Sequence, residues 1–131
     1  MLKAELETLR LKKRQEYLKL LEVARLTEDL AEATDRRDEV SVRMLLSMRQ
    51  ELLLELQEMD SAVRESLLER PEEEAIRLGA LLNGSEPADA DEEVFCEQLE
   101  KNRQLLTKIT AMDKRISTRL GGKRSFYNNL R

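Results

Sequence analysis

From Leu2 to about Ala33 the apolar residues Leu2, Leu6, Leu9, Tyr17, Leu20, Ala24 and Ala31 recur at steps of three, four or their multiples, the spacing that stacks side chains on one face of a helix. This predicts a first helix over about 2–33. At a rise of about 1.5 Å per residue it reaches roughly 48 Å, longer than a compact domain of this size needs. The polar run Thr34 to Glu39 then interrupts the stripe, and Asp35 or Asp38 is placed to cap a following helix by accepting a backbone N–H from its first turn. A tight reversal is expected here. One unbroken helix through position 69 is the competing reading, because Arg and Glu are good helix formers.

A second stripe, Leu45, Met48, Leu52, Leu56, Met59, Val63 and Leu67, with Leu46 and Leu53 widening it, predicts a helix over about 39–69. Pro71 ends it and suits the first turn of a third helix, where the missing N–H is not needed. That helix is expected over 72–82, stopped by Asn83-Gly84, with a loop before the last helix at about 91–120. The last helix carries the clearest heptad: Phe95, Asn102, Ile109 and Ile116 fall seven apart, Leu105 and Met112 lie between them, and Leu99, Leu106 and Leu120 lie alongside. This is a coiled-coil seam with a broad flank, in which one amide such as Asn102 commonly sets register. Gly121-Gly122 closes the helix. The tail beyond it holds Phe126 and Tyr127, half of the aromatic residues. The expected fold is all-α: an elongated antiparallel helical hairpin with a short third helix and a long C-terminal amphipathic helix in a coiled-coil-like bundle. A single helical domain over 1–120 is followed by a tail over 121–131.

Composition agrees with this reading. Of 131 residues, 40% are hydrophobic, 38% charged and 3% aromatic, a balance too polar for a membrane span and too apolar for a disordered chain. Leucine greatly outnumbers Val and Ile, which favours helix over strand. With no apolar run of about 18 residues and no charged-then-apolar leader, neither a transmembrane helix nor a secretory signal is expected. A cytoplasmic location follows, and the single Cys96 suits a reducing compartment.

The candidate chemistry is thin. There is no His, which removes the commonest general base and the commonest transition-metal ligand. Neither a glycine-rich phosphate loop nor a Gly-x-Ser-x-Gly elbow is present. The acidic cluster Asp89 to Glu93 lacks the glycine turn of a calcium loop and reads as the negatively charged start of a helix. No enzyme activity, cofactor or metal is expected. Lys12-Lys13-Arg14, Arg36-Arg37 and Lys123-Arg124 are short, scattered basic pieces in an acidic chain, so nucleic acid is not an expected partner. Both ends of the chain are basic and the middle acidic, which predicts basic first and last helices beside an acidic second helix.

One feature exceeds what a core requires. Leu11, Leu18, Leu46, Leu53 and Leu54 lie partly off the stripes, and Met44, Met48, Met59 and Met112 add adaptable apolar side chains. Surplus apolar surface of this kind marks a partner.

The layout resembles the flagellar export chaperones of the FlgN type, with the FliT type next. The likeness rests on the long amphipathic first helix, the Asp-bearing break at 35–38, the second helix with Leu45-Leu46 and Met48 to Leu53, the basic last helix with Asn102 to Leu106, and the Ser125-Phe126-Tyr127 ending. The resemblance implies a small cytoplasmic chaperone that binds amphipathic C-terminal helices of hook-associated or other axial proteins. It would keep them unassembled and deliver them to the export gate. It implies partner contacts along the last helix, at Leu99, Leu105, Leu106, Ile109, Met112, Ile116 and Leu120, with Tyr127 at the gate. The chain departs from the family in Gly121-Gly122 and the short tail behind it. On this reading Asp at positions 109 and 116 leaves the fold standing and removes the partner. Two other readings stand beside it: a structural coiled coil whose seam closes a homodimer without a client, and a regulator that binds nucleic acid through its basic ends.

Overall fold

The structure, a computed structural model, describes residues 3–119. It is all-helical over that range, with α1 Lys3–Asp35, α2 Glu39–Leu67, α3 Glu72–Leu82 and α4 Ala90–Arg119. The competing single helix is ruled out by a break at Arg36 to Asp38 that ends in a Schellman motif. Asp38 N–H donates to the Ala33 carbonyl at 2.9 Å and Arg37 N–H to that of Thr34 at 3.1 Å. Arg37 sits in the left-handed region at φ 59°. Asp38, not Asp35, is the N-cap: its carboxylate accepts from Ser41 N–H at 3.1 Å and from Ser41 Oγ at 2.6 Å. The same motif closes α3, where Ser85 N–H reaches the Ala80 carbonyl and Gly84 occupies the left-handed position at φ 102°.

α1 and α2 form the expected antiparallel hairpin, and α4 runs parallel to α1. Lys3 lies 3.9 Å from Asp91 at one end of that pair, and Arg119 Nη1 donates to Asp35 at 2.6 Å at the other. Both α2 and α4 pack along α1. The buried seam of α1 is Leu6, Leu9, Lys13, Glu16, Leu20, Val23, Thr27 and Leu30, an unbroken heptad alternation of three and four. The structure therefore corrects the first stripe: Tyr17 and Ala31 are flanking and half-buried, while polar Lys13, Glu16 and Thr27 take seam positions. On α2, Arg49 is buried where Met48 was expected, and Met48 is exposed.

These polar residues divide the core into layers. The end nearest the start of α1 is filled by Leu6, Leu9, Val63, Leu67, Phe95 and Leu99, with Leu78 and Leu81 of α3 closing it. The middle holds Leu20, Val23, Ala24, Ile109 and Met112. The far end holds Leu26, Leu30, Val42, Leu45, Leu46 and Ile116. Between the first two layers the Lys13 ammonium meets Glu16 Oε2 at 3.0 Å and Asp60 Oδ1 at 3.1 Å. In the same layer Asn102 Nδ2 donates to the Lys13 carbonyl at 2.9 Å and Gln98 Nε2 to Asn102 Oδ1 at 2.9 Å. Asn102 thus holds α1 against α4 within one chain. The charge expectation is met at the α1–α2 boundary, where Lys13 pairs with Asp60 and Lys19 with Glu55. It is reversed between α2 and α4, where α2 supplies the cation Arg49 and α4 the anion Asp113.

The two carboxylates of the Lys13 layer move in opposite directions. Burial pushes Glu16 above the usual glutamate range, only partly offset by Lys13. For Asp60 burial also pushes upward, but hydrogen bonds from Arg64 and Lys13 outweigh it and hold the group below the usual aspartate range. A carboxylate whose folded pKa is raised lowers stability as pH climbs from its unfolded to its folded value, and the loss persists above that window. Glu16→Gln is therefore expected to be at least as stable as the natural chain at pH 7, the two converging as the pH is lowered towards the ordinary glutamate value. Asp60→Asn has the opposite sign: its stability loss is largest at neutral pH and shrinks as acid protonates Asp60 in the natural chain. Urea melts at several pH values read both. At the turns, Arg37→Gly should stabilise by about 1 kcal/mol and Gly84→Ala destabilise by about 1 kcal/mol, because only glycine takes the left-handed region without steric cost. The denaturation midpoints check this pair.

Candidate partner-binding site

Both α2 and α4 pack along α1, and their backbones make few close approaches to each other. Between them runs an open groove of about 400 Å³. Its floor is Val23 of α1, Leu46 and Leu53 of α2 and Ile109 of α4. Gln50, Leu54 and Gln57 form one rim and Leu106 and Thr110 the other, all of them exposed. Leu54 and Leu106 are 50% and 51% exposed, large apolar side chains lining one groove from two helices in a chain that is 38% charged. The charged residues lining the groove, Arg49 and Asp113, are bonded to each other. A shallower hollow continues the groove along α2 past Glu58, Ser61 and Glu65.

The Arg49–Asp113 pair is set in the groove floor. Arg49 Nη1 also donates to Thr27 Oγ1 at 3.1 Å, and Thr27 Oγ1 donates to the Val23 carbonyl at 2.7 Å, so one guanidinium ties all three long helices at a single level. The side chains of Arg49 and Asp113 keep 7% and 10% of their exposure. Buried charges persist only when paired and hydrogen-bonded, and here the pairing is made across the helices that bound the groove.

Of the residues expected to meet a partner, the structure brings Leu106 and Ile109 to this groove. It takes the others elsewhere: Leu99 lies in the layer closed by α3, Leu105 packs against the middle layer, Met112 is part of that layer and Ile116 belongs to the far layer. Ile109 and Ile116 are 4% and 2% exposed, so the α4 seam is spent on the protein's own core. Leu120 and Tyr127 lie outside the described residues. Three of the five surplus leucines, Leu46, Leu53 and Leu54, do line the groove, whereas Leu11 and Leu18 stand exposed on α1. The polar members, Arg49, Gln50, Gln57, Thr110 and Asp113, carried no sequence signal of their own.

Other candidate chemistry falls into structural roles. Asp89 caps α4 by accepting from Glu92 N–H at 2.8 Å, and Glu92 reaches back to Ala88 N–H at 2.9 Å. The hydrogen bonds from Arg77 hold the Glu92 carboxyl below its usual range. Burial pushes the Cys96 thiol up, which disfavours the reactive thiolate. Among the described residues no cluster of His, Cys, Asp and Glu is arranged to hold a metal, and no helix is long and apolar enough to cross a membrane. Comparison with protein-family models, with curated proteins and with solved structures finds no match to this chain.

The burial of the α4 seam reverses the outcome expected for its charged variants. Ile116→Asp should cost several kcal/mol, since it trades a fully buried side chain for an unpaired charge. Thermal melts followed by circular dichroism should show a large fall in midpoint; an unchanged midpoint would mean that Ile116 does not sit in the core.

Proposed function

We propose that this protein is a cytoplasmic helix-binding chaperone of the flagellar export type that its sequence resembles. In this reading it binds an amphipathic helix of a hook-associated or other axial protein, keeps that protein unassembled and presents it to the export gate. The observation that supports the reading is the groove between α2 and α4. Three long helices pack as two on one, and a fourth laid between α2 and α4 would complete a four-helix bundle over Leu53, Leu54, Leu106 and Ile109. An incoming helix recognises such a groove by burying its apolar face at positions i, i+3, i+4 and i+7. The groove lining holds no nucleophile paired with a base, so the reading is one of binding and not of bond-making. The client contacts move with it, from the α4 seam to the groove, and of the original set keep Leu106 on the rim, with the buried Ile109 only in the floor beneath.

The homodimer alternative relied on the same α4 seam, which the fold already covers. Nucleic acid is disfavoured by the net charge of −4 and by the uncharged rims of the groove.

The double variant Leu54→Asp, Leu106→Asp tests the reading. Both side chains are half exposed, so the protein should stay helical and lose about 1 kcal/mol or less. Recovered from its native cell, the natural chain should bring down a flagellar axial protein, and the double variant should bring down at least tenfold less. Equal recovery by both would remove the groove from the function, and absence of any axial protein would remove the flagellar client.

A further inference from the structure

The groove floor is not uniformly apolar, and its one polar step constrains what can lie in it. Along α2 the floor runs Leu46, Arg49, Leu53, and along α4 it runs Ile109, Asp113, so the Arg49–Asp113 pair stands one helical turn from Leu53 and Ile109 and about one turn from Leu46. Both ions line the groove, so water in the groove is part of their surroundings. A helix seated there displaces that water. An apolar side chain set directly over the pair would complete its desolvation and return nothing, whereas a hydroxyl or carboxamide can both donate to Asp113 and accept from Arg49. A charged side chain would upset a pair that is already neutralised.

Resting on the proposed helix-binding role, we infer that the Arg49–Asp113 pair is the register key of the groove. It selects a partner helix with apolar residues at i and i+7 and an uncharged hydrogen-bonding residue, Asn, Gln, Ser or Thr, at i+3 or i+4 between them. The spacing follows from the lining itself: a helix lying along α2 shares its period, so its residues over Leu46, Arg49 and Leu53 are also one turn apart. Polar positions within an apolar seam are the best-attested device for fixing helix register, because a one-turn slip places the polar group on hydrocarbon and an apolar group on the ions.

The test uses the full chain and fluorescein-labelled synthetic helical peptides of 18 residues. Leu occupies i and i+7 in each, and the peptides differ only in carrying Asn at i+4, Leu at i+4, or Leu at i+4 with Asn moved to the outward-facing i+2. Fluorescence anisotropy should show the Asn i+4 peptide binding at least tenfold more tightly than either of the others. In the variant Arg49→Met, Asp113→Leu, an apolar replacement of a buried pair, the order should invert in favour of Leu at i+4. Where circular dichroism shows that this variant does not fold, the comparison of the three peptides on the natural chain decides alone. Equal or tighter binding of the Leu i+4 peptide to the natural chain would overturn the register key, while sensitivity to Leu54→Asp, Leu106→Asp would leave the groove as the binding site. Binding of all peptides that is indifferent to that double variant would overturn both readings. A dimer seen by light scattering and abolished by the double variant would give the groove to a second copy of the chain. Tighter peptide binding by a chain ending at Arg119 would give it to residues 120–131, and either result would overturn the selection of a foreign helix.

Discussion

A guanidinium cannot shed its charge, so a buried arginine dictates what surrounds it. Arg49 projects from the middle of α2 and is bonded to Thr27 of α1 and Asp113 of α4, an arrangement that exists only when three helices meet at one level. Shifting any of the three by a turn would leave an ion unpaired in the interior, a far larger penalty than slipping one leucine past another. The second polar layer acts in the same way, with Lys13 bonded to Glu16 and Asp60 while its backbone carbonyl accepts from Asn102. Leucine-rich helices pack against one another in many registers. These two layers leave one.

The groove follows from how that register is built. α1 spends its whole heptad seam on both neighbours at once, which draws α2 and α4 to it and leaves their own outer flanks facing a gap. The short α3 sets the direction of α4. After α2 has returned the chain to the start of α1, the 11 residues of α3 remain at that end, with Leu78 and Leu81 plugging the core, so α4 begins beside Lys3 and runs parallel to α1. The result is a bundle with three long members and room for a fourth.

Much of this fold was legible in the one-dimensional pattern. Apolar spacing marked the three long helices, Pro71 and Asn83-Gly84 marked the limits of the short one, and the run from Asp35 to Asp38 announced a cap without choosing between its two aspartates, because each of these signals acts through residues within a turn or two of itself. The Schellman turn at Arg37 was less visible, since arginine occupies a backbone conformation that usually asks for glycine. The seam residues Lys13, Glu16, Thr27, Arg49 and Asp113 were not legible at all. A charged residue in an amphipathic stripe reads as solvent-facing unless its partner is known, and these partners lie as far as 64 positions away.

The heptad of α4 shows the same division between local and distant information. Its sequence determined that Phe95, Ile109, Met112 and Ile116 share a face and that the face must be covered. Nothing in that spacing distinguishes a client, a second copy or the chain's own first helix as the cover, because each would bury the same hydrocarbon. The tertiary structure decided for α1, and in doing so moved the available apolar surface to Leu53 and Leu54, which stood out in the sequence as leucines beyond what the stripes required, and to Leu106, which flanks the α4 heptad. Periodicity is a property of one helix, whereas the vacancy between two helices depends on which third element has already claimed them.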